Sequence, residues 1–165
     1  MDRLWSPWRY DYIKSGSTDK ENDPQFCVFC SLLQETGDSD KSKFILHRAA
    51  HNFVVLNLYP YISGHLLIVP FAHQAELSAL SKEASDELMD LTKRCQAILR
   101  DVYRPHGFNL GMNLGAAAGA GVANHLHLHI MPRWFGDTNF MTTVSESRVI
   151  PEDLTTTYSK LRERF

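Results

Sequence analysis

Six consecutive residues, His125-Leu126-His127-Leu128-His129-Ile130, constrain this chain more than any other feature. Their strict alternation is the pattern of a strand with one buried face, because successive side chains on a strand point to opposite sides. Leu126, Leu128 and Ile130 are expected to face the core, leaving the three imidazoles on the other face, each about 7 Å from the next. Pro132 is expected to close the ladder. A face meant only for water is usually built from Lys, Glu, Thr or Ser, whereas imidazole titrates near neutrality and serves as base, nucleophile or metal ligand. A strand used purely for metal binding is the main rival reading. It leaves unexplained the loop just upstream, Gly115-Ala116-Ala117-Ala118-Gly119-Ala120-Gly121, which has no bulky side chain. Such a loop reads alone as an ordinary hairpin connection. Beside three histidines, it reads as a place where backbone N–H groups approach phosphate oxygens closely.

The rest of the chain supplies a scaffold for that strand. At 165 residues, 44% hydrophobic and 22% charged, it fits one domain with an ordinary core. A net charge of -2 gives no basic footprint for a nucleic-acid groove, so a polyanionic ligand must be held by local dipoles and histidines. No apolar run approaches the ~20 residues of a membrane span. Residues Met1 to Tyr12 mix aromatics and charge instead of forming a signal-peptide core, and the expected compartment is the cytoplasm. Leu4 to Tyr10 reads as an aromatic arm, and Ser15–Pro24 and Gln34–Lys43 as loops. Phe53–Leu58, Leu66–Val69, Phe108–Leu114 and His125–Met131 read as strands. Apolar positions Ala84, Leu88, Leu91, Cys95, Ile98, Leu99 and Val102 recur at helical spacing, so Lys82–Tyr103 reads as one amphipathic helix capped by Ser81. A last helix is expected over Pro151–Arg164. The order implies an α+β fold, mainly an antiparallel sheet with one long helix and a C-terminal helix. The expected division is an arm and loop at 1–26, a core at 27–135 and an extension at 136–165.

The segment Asn124-His125-Leu126-His127-Leu128-His129-Ile130-Met131-Pro132-Arg133 resembles the signature of the histidine-triad (HIT) family, in which three histidines alternate with apolar residues. Gly64-His65-Leu66-Leu67-Ile68-Val69-Pro70 and Gly111-Met112-Asn113-Leu114-Gly115 match the family in order and spacing. Leu4–Arg9, Asn57–Tyr61, Arg104–Asn109 and Pro132–Phe140 are similar to the bacterial branch of diadenosine tetraphosphate phosphorylases and dinucleoside polyphosphate hydrolases. The resemblance implies a HIT-like fold. It further implies that neutral His127 attacks the α-phosphorus of an adenine nucleotide or dinucleoside polyphosphate, forming a nucleotidyl-histidine. His129 is then expected to bond a non-bridging phosphate oxygen, with His65 on the same wall. Asn113 would contact phosphates, Asn57 the ribose hydroxyls, and Gly119, Ala120 and Gly121 would offer backbone amides. One departure stands out: many family hydrolases carry hydroxyl or Gln-Ser/Thr residues five and six positions before the nucleophile, where this chain has Val122 and Gly121. No side chain there can steady the leaving group. The acceptor is inorganic phosphate in a phosphorylase and water in a hydrolase. Nucleoside phosphoramidate hydrolysis, a nucleotide-binding sensor with little turnover and a zinc-organised interaction module are the alternatives. The family typically pairs two chains edge to edge, so a homodimer is expected.

Cys27 and Cys30 place two thiols on one tight turn, as a structural zinc requires; a redox pair shares that spacing. Some family members with this knuckle complete the site with a histidine after the strand-ending proline and the first histidine of the triad, here His73 and His125. The resulting Cys27, Cys30, His73, His125 set would tie the knuckle to the catalytic strand, with His47 or His51 as substitutes for His73. Cys95 falls on the apolar helix stripe and is expected in the core. No organic cofactor is expected.

Overall fold

The computed structural model describes residues 26–34, 39–138, 142 and 150–165; the aromatic arm around Trp5 and Trp8 and the loop at 15–24 lie outside them. In chain order come α1 (Val28–Leu33), α2 (Ser39–Ser42), β1 (Ile45–Arg48), β2 (Asn52–Leu56), β3 (Leu66–Pro70), α3 (Lys82–Tyr103), β4 (Gly107–Gly111), β5 (Leu128–Arg133) and α4 (Leu154–Arg162). The strands form one five-stranded sheet in the order β1-β2-β3-β5-β4, every pair antiparallel. Among the described residues, no helix is long and apolar enough to cross a membrane.

The sheet sorts its side chains by period two. Leu46, Val54, Leu56, Leu66, Ile68, Leu128 and Ile130 project to one face, against Leu88, Leu91, Cys95 and Leu99 of α3 and Tyr158 and Leu161 of α4. Ile45, Phe53, Val55, Leu67 and Val69 project to the other, where they meet Cys27 and Phe29 of the α1 segment. His129 lies directly opposite Leu67 in the β3–β5 register, so it emerges on this second face. The histidine surface is thus the floor of the α1 side, and α3 backs the sheet from behind.

The long helix has the expected bounds. Ser81 Oγ accepts the Ala84 N–H at 3.2 Å, and Arg104, in the left-handed region at φ 46°, ends the helix before Pro105. The last helix is shorter than its expected span: Asp153, not the region of Pro151, supplies the cap, its Oδ1 accepting the Thr156 N–H at 2.8 Å. Strand β2 stops at Leu56, because the Asn57 N–H bonds to the His65 carbonyl (3.1 Å) as the chain turns. Strand β1 is not among the strands expected from the sequence, and α2 lies inside a segment expected to be loop. The edge of β1 is covered from α4, with Tyr158 Oη donating to the Ile45 carbonyl (3.3 Å) and Arg162 to the Leu46 carbonyl (2.5 Å).

Gly64 fixes the entry to the site. It sits at φ +76°, and a Cβ there would lie 3.2 Å from Leu99 Cδ2 and 3.3 Å from both Pro132 and Tyr103. Only glycine combines that backbone conformation with such close packing, which delivers His65 to the start of β3.

Candidate active site

The β3–β5 pairing begins at Ile68↔Leu128, so His125, Leu126 and His127 lie just outside the ladder that the alternation suggested they would join. Other contacts hold this segment. The Leu126 N–H donates to the Gln74 carbonyl at 2.7 Å, and His125 Nε2–H donates to the Pro70 carbonyl at 2.9 Å. All three histidines of the triad are buried, as is His65. The rings of His127 and His129 are 4.9 Å apart, closer than the strand repeat, because they lean together at 62°.

The hydrogen bonds fix which nitrogen carries each proton, since a carbonyl only accepts and a backbone N–H only donates. His127 Nδ1 lies 2.9 Å from the His125 carbonyl and must donate to it. Neutral His127 therefore keeps its lone pair on Nε2. His65 Nδ1 receives the Tyr61 N–H at 3.2 Å, so its own proton is on Nε2. That proton is donated to His129 Nδ1 at 2.9 Å, which in turn places the His129 proton on Nε2. Among the described residues, buried His129 Nε2 finds no hydrogen-bond partner. A buried donor left unmatched costs about 1–3 kcal/mol, which an acceptor on a ligand would recover. Among the described residues, the result is an uncommitted lone pair on His127 Nε2 beside an unmatched N–H on His129.

Burial keeps these rings neutral. It pushes His65 down to about 3, with the neighbouring His129 and His127 adding to the shift. It likewise lowers His129 to about 4, helped by His127. Burial also holds His127 below the usual imidazole value, and the bond to the His125 carbonyl opposes that shift only in part. Tyr61 stacks on this pair, its ring 4.9 Å from His65 and 6.2 Å from His129. The Tyr61 bond that sets the His65 tautomer comes through a backbone amide that every residue type shares, so no residue pattern marks this role.

Asn57 and Asn113 border the site and make local hydrogen bonds. Asn57 Oδ1 accepts the Tyr59 N–H at 3.0 Å, and its Nδ2 lies 3.3 Å from His65 Nδ1, so it closes the turn and touches the relay. Asn113 Nδ2 donates to the Gly119 carbonyl at 3.4 Å, pinning the glycine loop. Within that loop Ala116–Ala118 forms a 3-10 turn flanked by Gly115 at φ 81° and Gly119 at φ 84°. The Gly119 N–H is committed to the Ala116 carbonyl at 3.0 Å, which narrows the expected backbone donors to Ala120 and Gly121.

On the α1 side, one nitrogen or sulfur from each of Cys27, Cys30, His73 and His125 falls within 4.8 Å of all the others. Cys27 is the N-cap of α1 and Cys30 is one turn on, so the knuckle is the start of a short helix. Cys27 Sγ is 3.2 Å and Cys30 Sγ 3.7 Å from His125 Nδ1, and Cys30 Sγ is 3.2 Å from His73 Nδ1. His125 points its bare Nδ1 at the sulfurs because Nε2 holds the proton given to Pro70. The alternatives to His73 are elsewhere: His47 stacks on Phe165 at 5.7 Å, and the His51 backbone is held by Glu87 at 2.8 Å. Phe29, between the two cysteines, packs on His125 and His127 at 5.4 and 5.1 Å. The sequence offered no signal for it beyond its place inside the C-x-x-C pair.

The chain is similar to several known proteins. The AP-4-A phosphorylase of Mycobacterium tuberculosis is 39% identical over 152 residues, covering 92% of this chain and 78% of that protein. An adenosine 5'-monophosphoramidase of Schizosaccharomyces pombe is 30% identical over 107 residues, 65% of this chain and 74% of that one. A Zn-bound histidine triad family protein from Mycobacterium smegmatis has a similar structure, with a TM-score of 0.66 at 26% identity, covering 84% of this chain and 91% of that chain. The HIT domain model matches residues 38–136, more than half of the sequence. The chain belongs to the HIT domain family.

Proposed function

We propose that this protein is an enzyme that cleaves a dinucleoside polyphosphate, such as diadenosine tetraphosphate, at the α-phosphate through a nucleotidyl group on His127. The observation that carries this reading is the 2.9 Å bond from His127 Nδ1–H to the His125 carbonyl, which leaves Nε2 free to attack. As Nε2 bonds to phosphorus, the bridging P–O bond breaks and the rest of the substrate, a nucleoside polyphosphate (ATP from diadenosine tetraphosphate), departs with the electron pair. His129 Nε2–H donates to a non-bridging oxygen, where charge accumulates. In the second step an acceptor oxygen attacks the same phosphorus and the P–N bond returns its electrons to Nε2. Phosphate as acceptor releases ADP, and water releases AMP. With Val122 and Gly121 upstream of the triad, the leaving group takes no help from a hydroxyl at those positions, and the amides of Ala120 and Gly121 are the donors in reach by sequence. The phosphorylase relative favours phosphate. The phosphoramidase relative supports a second reading, in which the bond cleaved is P–N in a nucleoside phosphoramidate.

The Cys27, Cys30, His73 and His125 set fits a structural zinc. Zinc–sulfur and zinc–nitrogen bonds of about 2.3 and 2.0 Å in a tetrahedron separate S and N by roughly 3.5 Å, and the three contacts found are 3.2, 3.2 and 3.7 Å. Burial and the neighbouring Cys27 push the Cys30 thiol up to about 11, a cost that a cation among these donors reverses. Zinc would supply a rigid cross-link there and no step of the reaction. Cysteines that hold a metal and form no disulfide among the described residues suit a reducing compartment, and we propose the cytoplasm. We also propose a homodimer joined along β4, the sheet edge whose Leu110 is half exposed and near which Phe135 is 87% exposed.

Incubation with diadenosine tetraphosphate and labelled phosphate is expected to place label in ADP, and His127→Ala to lower kcat by at least about a thousandfold. Unlabelled AMP as the product would establish hydrolysis instead, and an active His127→Ala would remove the nucleophile. Light scattering and metal analysis of one sample are expected to give twice 18.8 kDa, one zinc per chain and free thiols. A lone 18.8 kDa species without metal contradicts both assignments.

The pH profile follows from the depressed histidines. A group whose value is lowered by burial stays neutral above that value and protonates only as pH falls through it. With His129 near 4 and His65 near 3, the relay survives the range around 6.5 where free imidazole titrates. The acid limb of kcat/KM contributed by this pair is therefore expected below pH 5. A single acid limb at 6.5 that shifts on His65→Gln would contradict the account.

A further inference from the structure

The proposed nucleophile stands one residue beyond the point where the sheet holds it. Strand pairing ends at Leu128, so the pose of His127 depends on His125, whose carbonyl takes the His127 Nδ1 proton. The His125 ring is gripped at Nε2 by the Pro70 carbonyl, while Nδ1 faces the cysteine and histidine donors of the α1 knuckle. Phe29 joins the same two parts, because it rides on the helix that begins at Cys27 and packs on both imidazoles. On the other side, the loop that carries His73 also supplies Gln74, whose carbonyl holds the Leu126 N–H. Apart from the ring contact of His127 with His129, every contact described for this three-residue segment leads to the knuckle, to the His73 loop or to the Pro70 carbonyl that precedes it.

We propose that metal occupancy of the Cys27–Cys30–His73–His125 cluster sets the tautomer and ring pose of His127, with His125 acting as a positioning residue through its peptide carbonyl. The proposal rests on the zinc and nucleophile assignments above and adds a dependence between them. A metal on His125 Nδ1 fixes the ring, the ring fixes the peptide, and the peptide carbonyl keeps the His127 proton on Nδ1. Without the metal, Nδ1 of His125 has only weak thiol donors. The His125 ring then keeps its Pro70 bond and the Leu126 N–H its Gln74 bond, but the Nδ1 side of the ring loses its rigid anchor. The His125 carbonyl is held less firmly, and His127 can carry its proton on Nε2, which consumes the attacking lone pair. Because His73 is exposed and Cys30 half-buried, metal exchanges from the solvent side while the triad stays covered. Nucleotide cleavage thus becomes responsive to zinc supply without zinc meeting substrate.

The test combines 15N-histidine NMR near neutral pH with steady-state kinetics on zinc-loaded, chelator-stripped and zinc- or cobalt-reloaded protein, and on His73→Asn, which removes the exposed donor. Circular dichroism checks the fold of each. The loaded protein is expected to show one His127 species with a slowly exchanging Nδ1–H. Stripping or His73→Asn is expected to mix the two tautomers and lower kcat at least tenfold, with KM within about threefold. Reloading with either tetrahedral metal restores the wild-type chain. A folded, stripped protein that keeps the Nδ1–H species and a kcat within twofold overturns the proposal. If stripping unfolds the wild type, the folded His73→Asn chain decides by the same two readouts. A tautomer that follows metal in a protein without dinucleoside polyphosphate cleavage would sink the substrate assignment and leave this inference standing.

Discussion

The hydrogen bond from His127 Nδ1 to the His125 carbonyl decides what the rest of the site can do. An imidazole in water exchanges its proton between two nitrogens, and only one of the resulting forms presents a lone pair in a chosen direction. A backbone carbonyl two residues away removes that ambiguity without a charged group. It leaves Nε2 bare and the ring uncharged, which is the state a nucleophile needs before it meets an anionic phosphate. A carboxylate in the same place would fix the tautomer too, but would raise the imidazole value and add a negative charge near the substrate.

The same logic runs through the neighbouring ring pair in the opposite sense. The Tyr61 amide forces the His65 proton onto Nε2, and that proton forces the His129 proton outward. Two adjacent histidines thus end with opposite faces to the ligand: one bare nitrogen and one N–H. Such an arrangement is costly to bury. It is supported by apolar layers on both faces of the sheet, where fully burying each Val, Leu or Ile contributes about 1.5–3 kcal/mol. Leu66, Ile68 and Ile130 pack on the α3 side, and Phe29, Val55, Leu67 and Val69 on the other.

Much of this was legible in the sequence, and the rest failed for identifiable reasons. The alternation around His127 placed the histidines on one face, and the spacing of Ala84, Leu88, Leu91, Cys95 and Leu99 located α3, because both signals come from burial along a regular element. Ser81 located its start, since a hydroxyl before a helical stripe has few other uses. Strand β1 left no comparable signal: Ile45 and Leu46 are both buried, one on each face, so no polar alternation marks them. Strand β5 starts later than the alternation suggests, because alternation of side chains does not require the backbone to be paired. It runs through Pro132 to Arg133, both paired with β4, because a proline on this strand is tolerated there. Of the candidate metal ligands, Cys27 and Cys30 were visible from spacing. The choice of His73 over His47 and His51 needed the fold, which brings residue 73 to the knuckle and sends residue 47 to α4. The contributions of Tyr61, Pro70 and Gln74 come through backbone groups, which no residue type announces.

The account stands or falls on a covalent bond between phosphorus and Nε2 of His127. Quenching the wild-type protein during turnover of diadenosine tetraphosphate in alkaline denaturant, followed by peptide mass spectrometry, measures it directly. The account predicts one adenylyl group per modified chain, on the peptide carrying His127 and lost when excess acceptor is added before the quench. Rapid turnover with no adduct, or an adduct on another residue, would contradict it.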